Sequence, residues 1–429
     1  MQSNNILYLS DRSFLEDPSI PRSVLDELRN QGLIAPDMKR IYFCGIVPYS
    51  DGIAVFLPRN HLASIEDRGI AGHYLIQALL KYYQDKESGI DVREGGAEVI
   101  GGRALSLAVS LLDDYRTNGL YVRRVKEHTV NSGKVNWSRT ISRSPSYPSD
   151  NGPLYIDFLT YRSRYIANCE IAKIHADVLK ELFSDYGMLW LGISSYFDER
   201  LEMMPKPSDT TEKKLTYLKR ELHLSYSERD MFLINGLIQY LQIKKGMDSS
   251  NLLIGVRKFH SLWESMLDEC LIGKYPVNSQ LPIPVYQTSE GNFIPVANKG
   301  QRTDTVLKHA DERRFAVVDA KYYEADSPST APGWPDLVKQ YFYQQSINQL
   351  EGKDVNVSNH FIFPGSNSRL KSAHVANRKA NIESVADCLA EYGTIHCHYQ
   401  DPIELLEAYV KGAKLPQLTN DIFAPDIYK

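Results

Sequence analysis

"RTDTVLKHADERRFAVVDAKYY", residues 302–323, contains two apolar runs separated by a polar turn. The spacing predicts strands over 303–308 and 315–322. An antiparallel pairing of these strands would bring Asp304, at the start of the first, towards Asp319, near the end of the second. The fold and the chemistry of the chain can both be approached from these two strands.

Asp319 and Lys321 are two positions apart, so their side chains share one face at the end of a buried strand. Two interpretations follow: a surface ion pair at a strand end, or a metal ligand beside a catalytic lysine. An acidic residue, any residue and then a lysine is a common triplet, so by itself it is weak evidence for a catalytic site. The other triplets of this type in the chain lack two features of Asp319: an apolar strand directly before the acid, and a preceding partner strand that carries a carboxylate. They are Asp37/Lys39, Glu212/Lys214 and Glu351/Lys353.

The residue types fit phosphodiester hydrolysis, which needs an activated water and a group that stabilises charge on the phosphate. Mg²⁺ held by carboxylates can supply both, and Mn²⁺ is the expected substitute. Asp304 and Asp319 would bind the metal. Lys321 would orient the water or stabilise the developing negative charge.

Two helices carry further candidates. Glu264 lies beside an otherwise apolar helical face in "FHSLWESMLDE". It could act at the site, as a third metal ligand or by holding a water, or it could be an ordinary exposed helix glutamate. Gln340 and Gln344 are four residues apart and share a face of the helix after Lys321. Either could contact the water, the lysine or a DNA phosphate, although Gln344 could equally be structural or exposed. Asp336 and Lys339 are expected to be exposed charges.

Composition limits the class of protein. The chain has 429 residues, of which 43% are hydrophobic and 24% charged, so it is long enough for two or three domains with their own cores. Its net charge of −4 gives no global basic character that would indicate a nucleic-acid partner. The five cysteines lack CxxC spacing, which favours a reduced, cytoplasmic environment. The sequence has no signal peptide pattern and no stretch that approaches a membrane helix, so no membrane partner is expected.

The pattern predicts an α/β protein with two parts. A mixed α+β N-terminal region spans 1–245 and includes a hairpin over 41–57 and a mostly helical stretch over 163–243. A linker at Gly246–Ser250 leads to a second domain over 251–429. The elements predicted for the second domain are helices over 256–271, 335–350, 376–391 and 402–411, and strands over 283–287, 293–297, 303–308, 315–322, 358–364 and 394–399.

A basic stretch over 121–143 carries Tyr121 and Trp137 among its charges, with Glu127 as its one acid. It could follow DNA phosphates, or it could be a solvated hairpin or a finger that binds a motor protein. Trp137 and Ile141 could instead attach a turn to the core. The candidate DNA-binding residues are Arg123, Arg124, Lys126, Lys134, Arg139 and, on the later helix, Gln344; Arg143 completes the basic set.

His396 and His398 flank Cys397 in "TIHCHYQ". On a strand both histidines would point to one side, which leaves open a zinc site or an edge strand with polar residues outward. No further His or Cys set lies nearby in the sequence, so an edge strand is favoured.

The segments "RTDTVL", "FAVVDAKYY" and "KQYFYQQ" together resemble the PD-(D/E)xK nuclease superfamily. The whole chain resembles the LlaJI-type restriction endonuclease family, whose nuclease subunit is related to McrC; "FCGIVPYSDGIAVFLPRN", "GKVNWSRTI", "SLWESML" and "IHCHYQDPIELLEAYV" carry this similarity. It implies a restriction-endonuclease-like core, a mixed sheet flanked by helices. Thr303 stands where the superfamily has a proline.

The resemblance also implies residue roles. The first acidic ligand falls on Asp304, the second on Asp319, the lysine on Lys321, the helix glutamate on Glu264 and the glutamine on Gln340.

The resemblance further implies a separate AAA+ NTPase motor of the McrB kind and double-stranded DNA as substrate. Cutting both strands of a duplex needs two active sites, so we expect either a homodimer through the nuclease domain or two loaded assemblies. No GxxxxGK[ST] motif occurs, so the chain is not its own motor. The N-terminal region, 1–245, would then contact the motor, DNA or both, and 251–429 would be the nuclease domain. Two rival functions stay open. One is a non-catalytic adaptor that binds DNA or activates the motor; the other is a repair or transposition nuclease of the same superfamily.

Overall fold

The structure is a computed structural model with α-helices and several β-sheets. It describes residues 5–35, 37–64, 66–88, 99–187, 189, 198–207, 210–246, 253–311, 313–352, 354–366 and 369–424. No helix in these ranges combines the length and the apolar character needed to cross a bilayer.

The strands are numbered in chain order. They are β1 Asn5–Ser10, β2 Cys44–Tyr49, β3 Gly52–Leu57, β4 Val99–Ile100, β5 Arg123–Val130, β6 Lys134–Val135, β7 Ser146–Tyr147, β8 Leu154–Tyr155, β9 Leu159–Ile166, β10 Ile254–Val256, β11 Val285–Gln287, β12 Phe293–Pro295, β13 Thr305–Lys308, β14 Arg314–Ala320, β15 Asn356–Pro364, β16 Ser372–Ala373 and β17 Ile395–Gln400.

The α-helices follow the same convention. They are α1 Arg22–Asn30, α2 Arg68–Glu87, α3 Gly102–Asn118, α4 Trp137–Arg143, α5 Glu170–Leu182, α6 Glu199–Met203, α7 Thr211–His223, α8 Glu228–Gly246, α9 Phe259–Cys270, α10 Trp334–Glu351, α11 Pro402–Lys411 and α12 Pro416–Phe423.

The chain forms two compact units. The first consists of Met1–Gly102, Leu189–Gly192 and Asn251–Lys429, and the second of Arg103–Met188 and Ile193–Ser250. The first hundred residues therefore belong to the same unit as the C-terminal segment. The division of function between 1–245 and 251–429 stays a prediction, and residues 247–250 of the expected linker lie outside the described residues.

The central sheet of the first unit has the strand order β13-β14-β15-β17-β16. Strands β13 and β14 are antiparallel, as the spacing predicts, with Thr305 opposite Val318. Strands β14, β15 and β17 are parallel, and β16 closes the edge in the antiparallel direction. This register places Asp304, one residue before β13, level with Asp319.

The two-sided burial of β14 explains its apolar run. Residues Phe315 to Ala320 are all buried, as expected for a central strand covered on both faces. On one face Phe315 and Val317 pack with Ile347 of α10. A charged side chain at the end of such a strand is costly unless it is paired, so Asp319 must have partners.

The first unit contains a second sheet, with the order β1-β3-β2-β10-β4. Its β2–β3 hairpin confirms the prediction for 41–57. Gly45 pairs with Gly255 across β2 and β10. A Cβ at Gly45 would lie 2.1 Å from the Ile254 carbonyl oxygen, and its φ of +147° also favours glycine. The close approach of the two strands therefore requires glycine here.

The second unit combines helices with a three-stranded antiparallel sheet, β5-β9-β6. We call these three strands the basic ribbon, because β5 and β6 carry part of the basic stretch. Opposed residues such as Arg124 and Tyr165 lie on the same face of the ribbon. The mostly helical character predicted for 163–243 is confirmed by α5 to α8.

The predicted helix over 376–391 is wrong. Only two short 3₁₀ turns form there, Val385–Asp387 and Ala390–Tyr392. Ile382 and Val385 are exposed, so no buried face would stabilise a helix.

Candidate active site

Asp304, Asp319 and Lys321 come together at one end of the central sheet. The Lys321 ammonium lies 2.9 Å from an Asp319 carboxylate oxygen. The Ala320 amide donates to an Asp304 carboxylate oxygen at 3.1 Å. The Asp304 side chain thus binds β14 just beyond the last β13–β14 pair, and the two acids lie side by side.

The two carboxyl groups interact directly. Burial, the negative charge of Asp319 and a side-chain hydrogen bond with Asp319 raise the pKa of Asp304 well above its usual range, and Glu264 adds to the effect. The raised pKa favours the protonated form of Asp304. Proton loss from Asp304 would create a site with strong negative charge.

Lys321 has a second partner, which sequence reasoning missed. Asp336, in the first turn of α10, also lies 2.9 Å from the lysine nitrogen, and its side chain is 16% exposed. The expectation that Asp336 is an exposed charge is therefore wrong. The signal was its position four residues before Gln340, which puts both on one helical face.

The two carboxylates keep Lys321 charged. Burial by itself would lower the pKa of Lys321, but Asp319 and Asp336 more than offset this, and the pKa is raised. The ammonium group is thus a fixed positive charge beside the acids over the whole physiological pH range.

Gln340 and Tyr343 continue the same face of α10. Gln340 is completely buried, and neither of its amide atoms has a hydrogen-bond partner in the described part of the chain. Burial raises the pKa of the Tyr343 hydroxyl to about 12, with Asp304 and Asp319 contributing, which places it near both acids. An unpaired buried amide is costly, so Gln340 is suited to a water or an ion close to the site.

Gln344 and Lys339 lie elsewhere on α10. The Gln344 amide donates to the Val357 carbonyl at 2.6 Å and accepts from Asn359 at 2.8 Å. It therefore ties α10 to β15, and its suggested DNA contact stays a prediction. Lys339 is exposed, as expected.

Glu264 faces a cleft beside Asp304. The cleft has a volume of about 730 Å³, and its lining includes Glu264, Asp268 and Asp304. Glu264 is half-buried on this wall, so it differs from an ordinary solvated helix residue. The cleft gives solvent access to the acidic end of the sheet.

The donor set suits a small hard cation. Asp304 and Asp319 offer adjacent carboxylate oxygens, the ligand type that Mg²⁺ prefers. Within the described ranges, no three or more His, Cys, Asp or Glu side chains are grouped so that they could hold a metal by themselves. Mg²⁺ usually keeps several waters and takes phosphate oxygens, so two protein carboxylates with Glu264 nearby are a sufficient set.

The residue after Lys321 is attached to the N-terminal sheet. The Tyr322 hydroxyl accepts a hydrogen bond from the Arg59 amide at 2.7 Å, and Tyr322 is 3% exposed. Asn60 donates to the Pro364 carbonyl at the end of β15 at 3.1 Å. The loop after β3 therefore holds the ends of β14 and β15.

The structure places the basic stretch on the ribbon and on α4, in the second unit. Arg123 forms an ion pair with Glu221, whereas Arg124 donates to Ser163 at 3.0 Å. Lys126 lies 5.4 Å from the centre of the Tyr161 ring. Lys134 and Arg143 are exposed and Arg139 is half-buried.

The aromatic residues of this stretch differ in exposure. Tyr121 is 4% exposed and so is not offered to a ligand, while Trp137 is 57% exposed. Ile141 is also exposed, so the suggestion that Trp137 and Ile141 attach a turn to the core is wrong. Trp137 instead packs edge-on against Phe158, with ring centres 5.7 Å apart.

The histidines of β17 lie inside the sheet. Strand β17 pairs with β15 on one side and β16 on the other, so the edge-strand prediction is wrong. His398 lies 2.9 Å from the buried His360, and His360 stacks on His396. Burial lowers the pKa of His398 to about 4, which keeps it neutral. These rings pack as part of the sheet.

Comparison with known proteins identifies relatives of the chain. The model of the family described as LlaJI restriction endonuclease matches residues 43–381. The curated protein named type II restriction enzyme BsuMI component YdjA, from Bacillus subtilis strain 168, is 26% identical over 372 residues. That match covers 80% of this chain and 76% of the relative.

Two solved assemblies from Thermococcus gammatolerans show weaker similarity. A chain of the assembly of McrB AAA+ hexamers with bound McrC is 13% identical, covers 95% of this chain and 99% of its own length, and superposes with a TM-score of 0.38. A chain of the McrBC complex is 11% identical, with coverages of 61% and 85% and a TM-score of 0.26. Superpositions this loose carry no conclusion about fold or partner.

Proposed function

Because the chain belongs to the LlaJI restriction endonuclease family, we propose that it is the nuclease subunit of a restriction system and hydrolyses phosphodiester bonds in double-stranded DNA. We place the reaction at Asp304, Asp319 and Lys321, with Mg²⁺ as the cofactor. The fold around these residues would then be a PD-(D/E)xK core.

One observation carries the proposal: two carboxylates and an ammonium group meet at the end of one buried strand. Asp319 and Lys321 are 2.9 Å apart, and Asp304 lies level with Asp319 on the neighbouring strand. A structural ion pair needs one acid and one base. The additional acid, which raises repulsion inside the protein, is explained by a cation that the two acids bind together.

The bound Mg²⁺ would supply an activated water and neutralise charge on the scissile phosphate. Asp304 would give up its proton, and Asp304 and Asp319 would each provide a ligand oxygen. Lys321, held by Asp319 and Asp336, would donate to the phosphate or to the attacking water and stabilise the developing charge. Gln340, buried on the same side of α10, would hold a water in this region.

We propose that a separate AAA+ NTPase motor of the McrB kind drives the reaction. The chain has no P-loop motif of its own, and the Bacillus relative is named as one component of a restriction enzyme. The basic ribbon would contact DNA or this motor. Cutting both strands of a duplex needs two active sites, so we propose that two nuclease domains act as a homodimer.

A cleavage assay tests the proposed site. Supercoiled DNA is incubated with the chain, its motor, nucleotide and Mg²⁺, and wild type is compared with Asp319→Asn and Lys321→Ala. We expect both variants to lose cutting. The matched controls are Asp37→Asn and Lys39→Ala, an exposed pair with the same spacing in the sequence, and both should cut like wild type.

The outcomes test the proposed site and separate the nuclease from the adaptor. Equal cutting by wild type and both site variants would move the chemistry away from Asp319 and Lys321. If wild type fails to cut but still stimulates the motor, the adaptor function would replace the nuclease.

A further inference from the structure

We infer that Asn278 and Asp268 form a clamp that fixes Asp304, and that both are positioning residues for the metal site. This inference rests on the proposed function, because it assigns Asp304 as a ligand. The clamp holds the residue before Asp304 and the residue after it, and so determines where the carboxylate between them lies.

Asn278 binds every polar group of Thr303. Its carbonyl oxygen accepts from the Thr303 amide at 2.9 Å and from the Thr303 hydroxyl at 3.0 Å. Its amide nitrogen donates to the Thr303 carbonyl at 3.1 Å. Thr303 is 4% exposed, so water does not replace these bonds. The backbone before Asp304 is thus fixed by a single side chain.

Asp268 holds Thr305, the residue after Asp304. The Thr305 hydroxyl donates to an Asp268 oxygen at 2.6 Å, and Lys274 forms an ion pair with the same carboxylate. Asp268 and Thr305 are 9% and 5% exposed. Asp268 lies four residues after Glu264 on α9, so the start of β13 is held against the helix face that carries Glu264.

The position of Asp304 makes such a clamp necessary. Strand β13 begins at Thr305 and its pairing with β14 ends at Thr305 and Val318. Asp304 therefore precedes the regular ladder, and its carboxyl group lies beside another acid that repels it when both are charged. The Ala320 amide binds the Asp304 carboxylate itself, and side-chain hydrogen bonds on both neighbours add restraint on the backbone that carries it.

Thr303 has a specific role in this arrangement. Its amide hydrogen is one of the three groups bound by Asn278. Proline at this position would have no amide hydrogen and no hydroxyl. Threonine is therefore the residue that allows the Asn278 side of the clamp to close.

Mn²⁺ binding tests the clamp without relying on catalysis. The full-length chain, free of DNA, is titrated with Mn²⁺ by calorimetry, with Asp304→Asn as the reference for a lost site. Residues that orient metal ligands typically change affinity 10- to 100-fold, and we expect Asn278→Ala to weaken Mn²⁺ binding by about that factor. Asn292→Ala, an exposed asparagine in the same unit, is the matched control and should bind like wild type.

Two further pairs of variants separate positioning from folding and from direct ligation. Asp268→Asn keeps an oxygen that can accept from Thr305 and should stay within about threefold of wild type, whereas Asp268→Ala should lose about tenfold or more. Thr303→Ser should retain affinity and Thr303→Pro should lose it. Thermal melting of each metal-free variant reports whether the fold is intact.

Each result is decisive. Wild-type affinity in a folded Asn278→Ala protein would overturn the clamp while leaving the nuclease function standing. A loss in Asp268→Asn as large as that in Asp304→Asn would make Asp268 a ligand and overturn its positioning role. Absence of Mn²⁺ binding in wild type would instead overturn the proposed metal site itself.

Discussion

The acidic end of the central sheet and the basic ribbon both carry clustered charges, but the two regions differ in how far the charged side chains are exposed to solvent. At the sheet end Asp319 and Lys321 have side chains that are 10% and 15% exposed and contact each other directly. On the ribbon Arg124 and Lys126 are exposed. One region encloses its charges and the other leaves them in water.

This difference in exposure determines how much a charged residue indicates about the function of its region. An enclosed charge must be balanced by neighbours, so its presence constrains the surrounding residues and indicates a purpose. An exposed charge is solvated at little cost, so it is compatible with DNA, with a partner protein or with neither. If the two regions differ in function as they do in burial, substitutions at the sheet end and on the ribbon should have effects of different size.

The largest effect is expected at Asp319. Asp319→Asn removes a proposed metal ligand while keeping the shape of the side chain, and metal catalysis contributes several kcal/mol. We therefore expect cleavage to fall by about 1,000-fold or more. Charge reversal on the ribbon, Lys126→Glu, should leave the rate within the bound complex unchanged. Single-turnover cleavage at saturating protein measures the rate of each variant. An equal loss of rate in Asp319→Asn and Lys126→Glu would show that the two regions do not differ in this respect.

The next effect concerns stability. Lys321→Met leaves the carboxylates of Asp319 and Asp336 without their shared cation, and breaking a buried pair costs about 3–5 kcal/mol. Lys126→Met removes an exposed charge and should change the free energy of unfolding by less than about 0.5 kcal/mol. Urea unfolding of the two variants without metal gives the comparison. Similar values for both would show that burial does not distinguish the regions.

Asp336 should have a smaller effect on catalysis than Asp319. Asp336→Asn keeps the helix start but removes one of the two carboxylates that hold the Lys321 ammonium. Loss of a residue that orients a reacting group typically costs 10- to 100-fold, and we expect cleavage to fall by about that factor. Glu351→Gln, at the other end of the same helix, is the control. An unaffected rate in Asp336→Asn would mean that Asp319 alone positions the lysine.

Proton release should accompany metal binding. The pKa of Asp304 is raised in the folded chain, so the metal-free folded state holds a proton that the unfolded state has lost. The stability of the metal-free protein therefore falls as pH rises from the unfolded pKa of about 4 towards the folded value. Because the cation must displace this proton, affinity should rise up to about tenfold per pH unit below the folded pKa of Asp304.

Calorimetry in two buffers of different ionisation enthalpy counts the protons. At a pH below the folded pKa of Asp304 we expect about one proton released per Mn²⁺ in wild type. A ribbon variant, Arg124→Ala, should release the same number. Release of none would mean that Asp304 is already ionised in the metal-free protein.

The smallest effect is expected on the ribbon. If Arg124 and Lys126 contact phosphates, replacing both with alanine should reduce the salt dependence of DNA binding by roughly two units of slope. Fluorescence anisotropy at several salt concentrations measures this slope. An unchanged slope together with weakened motor binding would assign the ribbon to the motor.

The strands around the acids could be predicted because burial leaves a pattern. The four-residue apolar run Phe315 to Val318 leads directly into a carboxylate, and its antiparallel partner is close in sequence. The pairing of Thr305 with Val318 follows from these two features. The clamp residues Asn278 and Asp268 could not be predicted, because nothing local to Thr303 or Thr305 indicates a partner 25 or 37 residues away.

The errors have a common physical cause. The segment over 376–391 has apolar residues at helical spacing, but Ile382 and Val385 are exposed, and spacing alone does not reveal whether a face has something to pack on. Asp336 was expected in solvent because first-turn acids usually are. Its burial depends on Lys321, which reaches it from a strand. Tertiary contacts decided both cases.

The bond from Arg59 to the Tyr322 hydroxyl has a practical consequence for dissecting the protein. A fragment starting at residue 251 would retain Asp304, Asp319 and Lys321, yet it would lose the loop that holds the neighbouring tyrosine and the strand that pairs with β10. Trimming from the N-terminus is therefore a poor route to a minimal nuclease. The second unit, Arg103–Met188 with Ile193–Ser250, is the better module to exchange, provided that Leu189–Gly192, which belongs to the first unit, is kept.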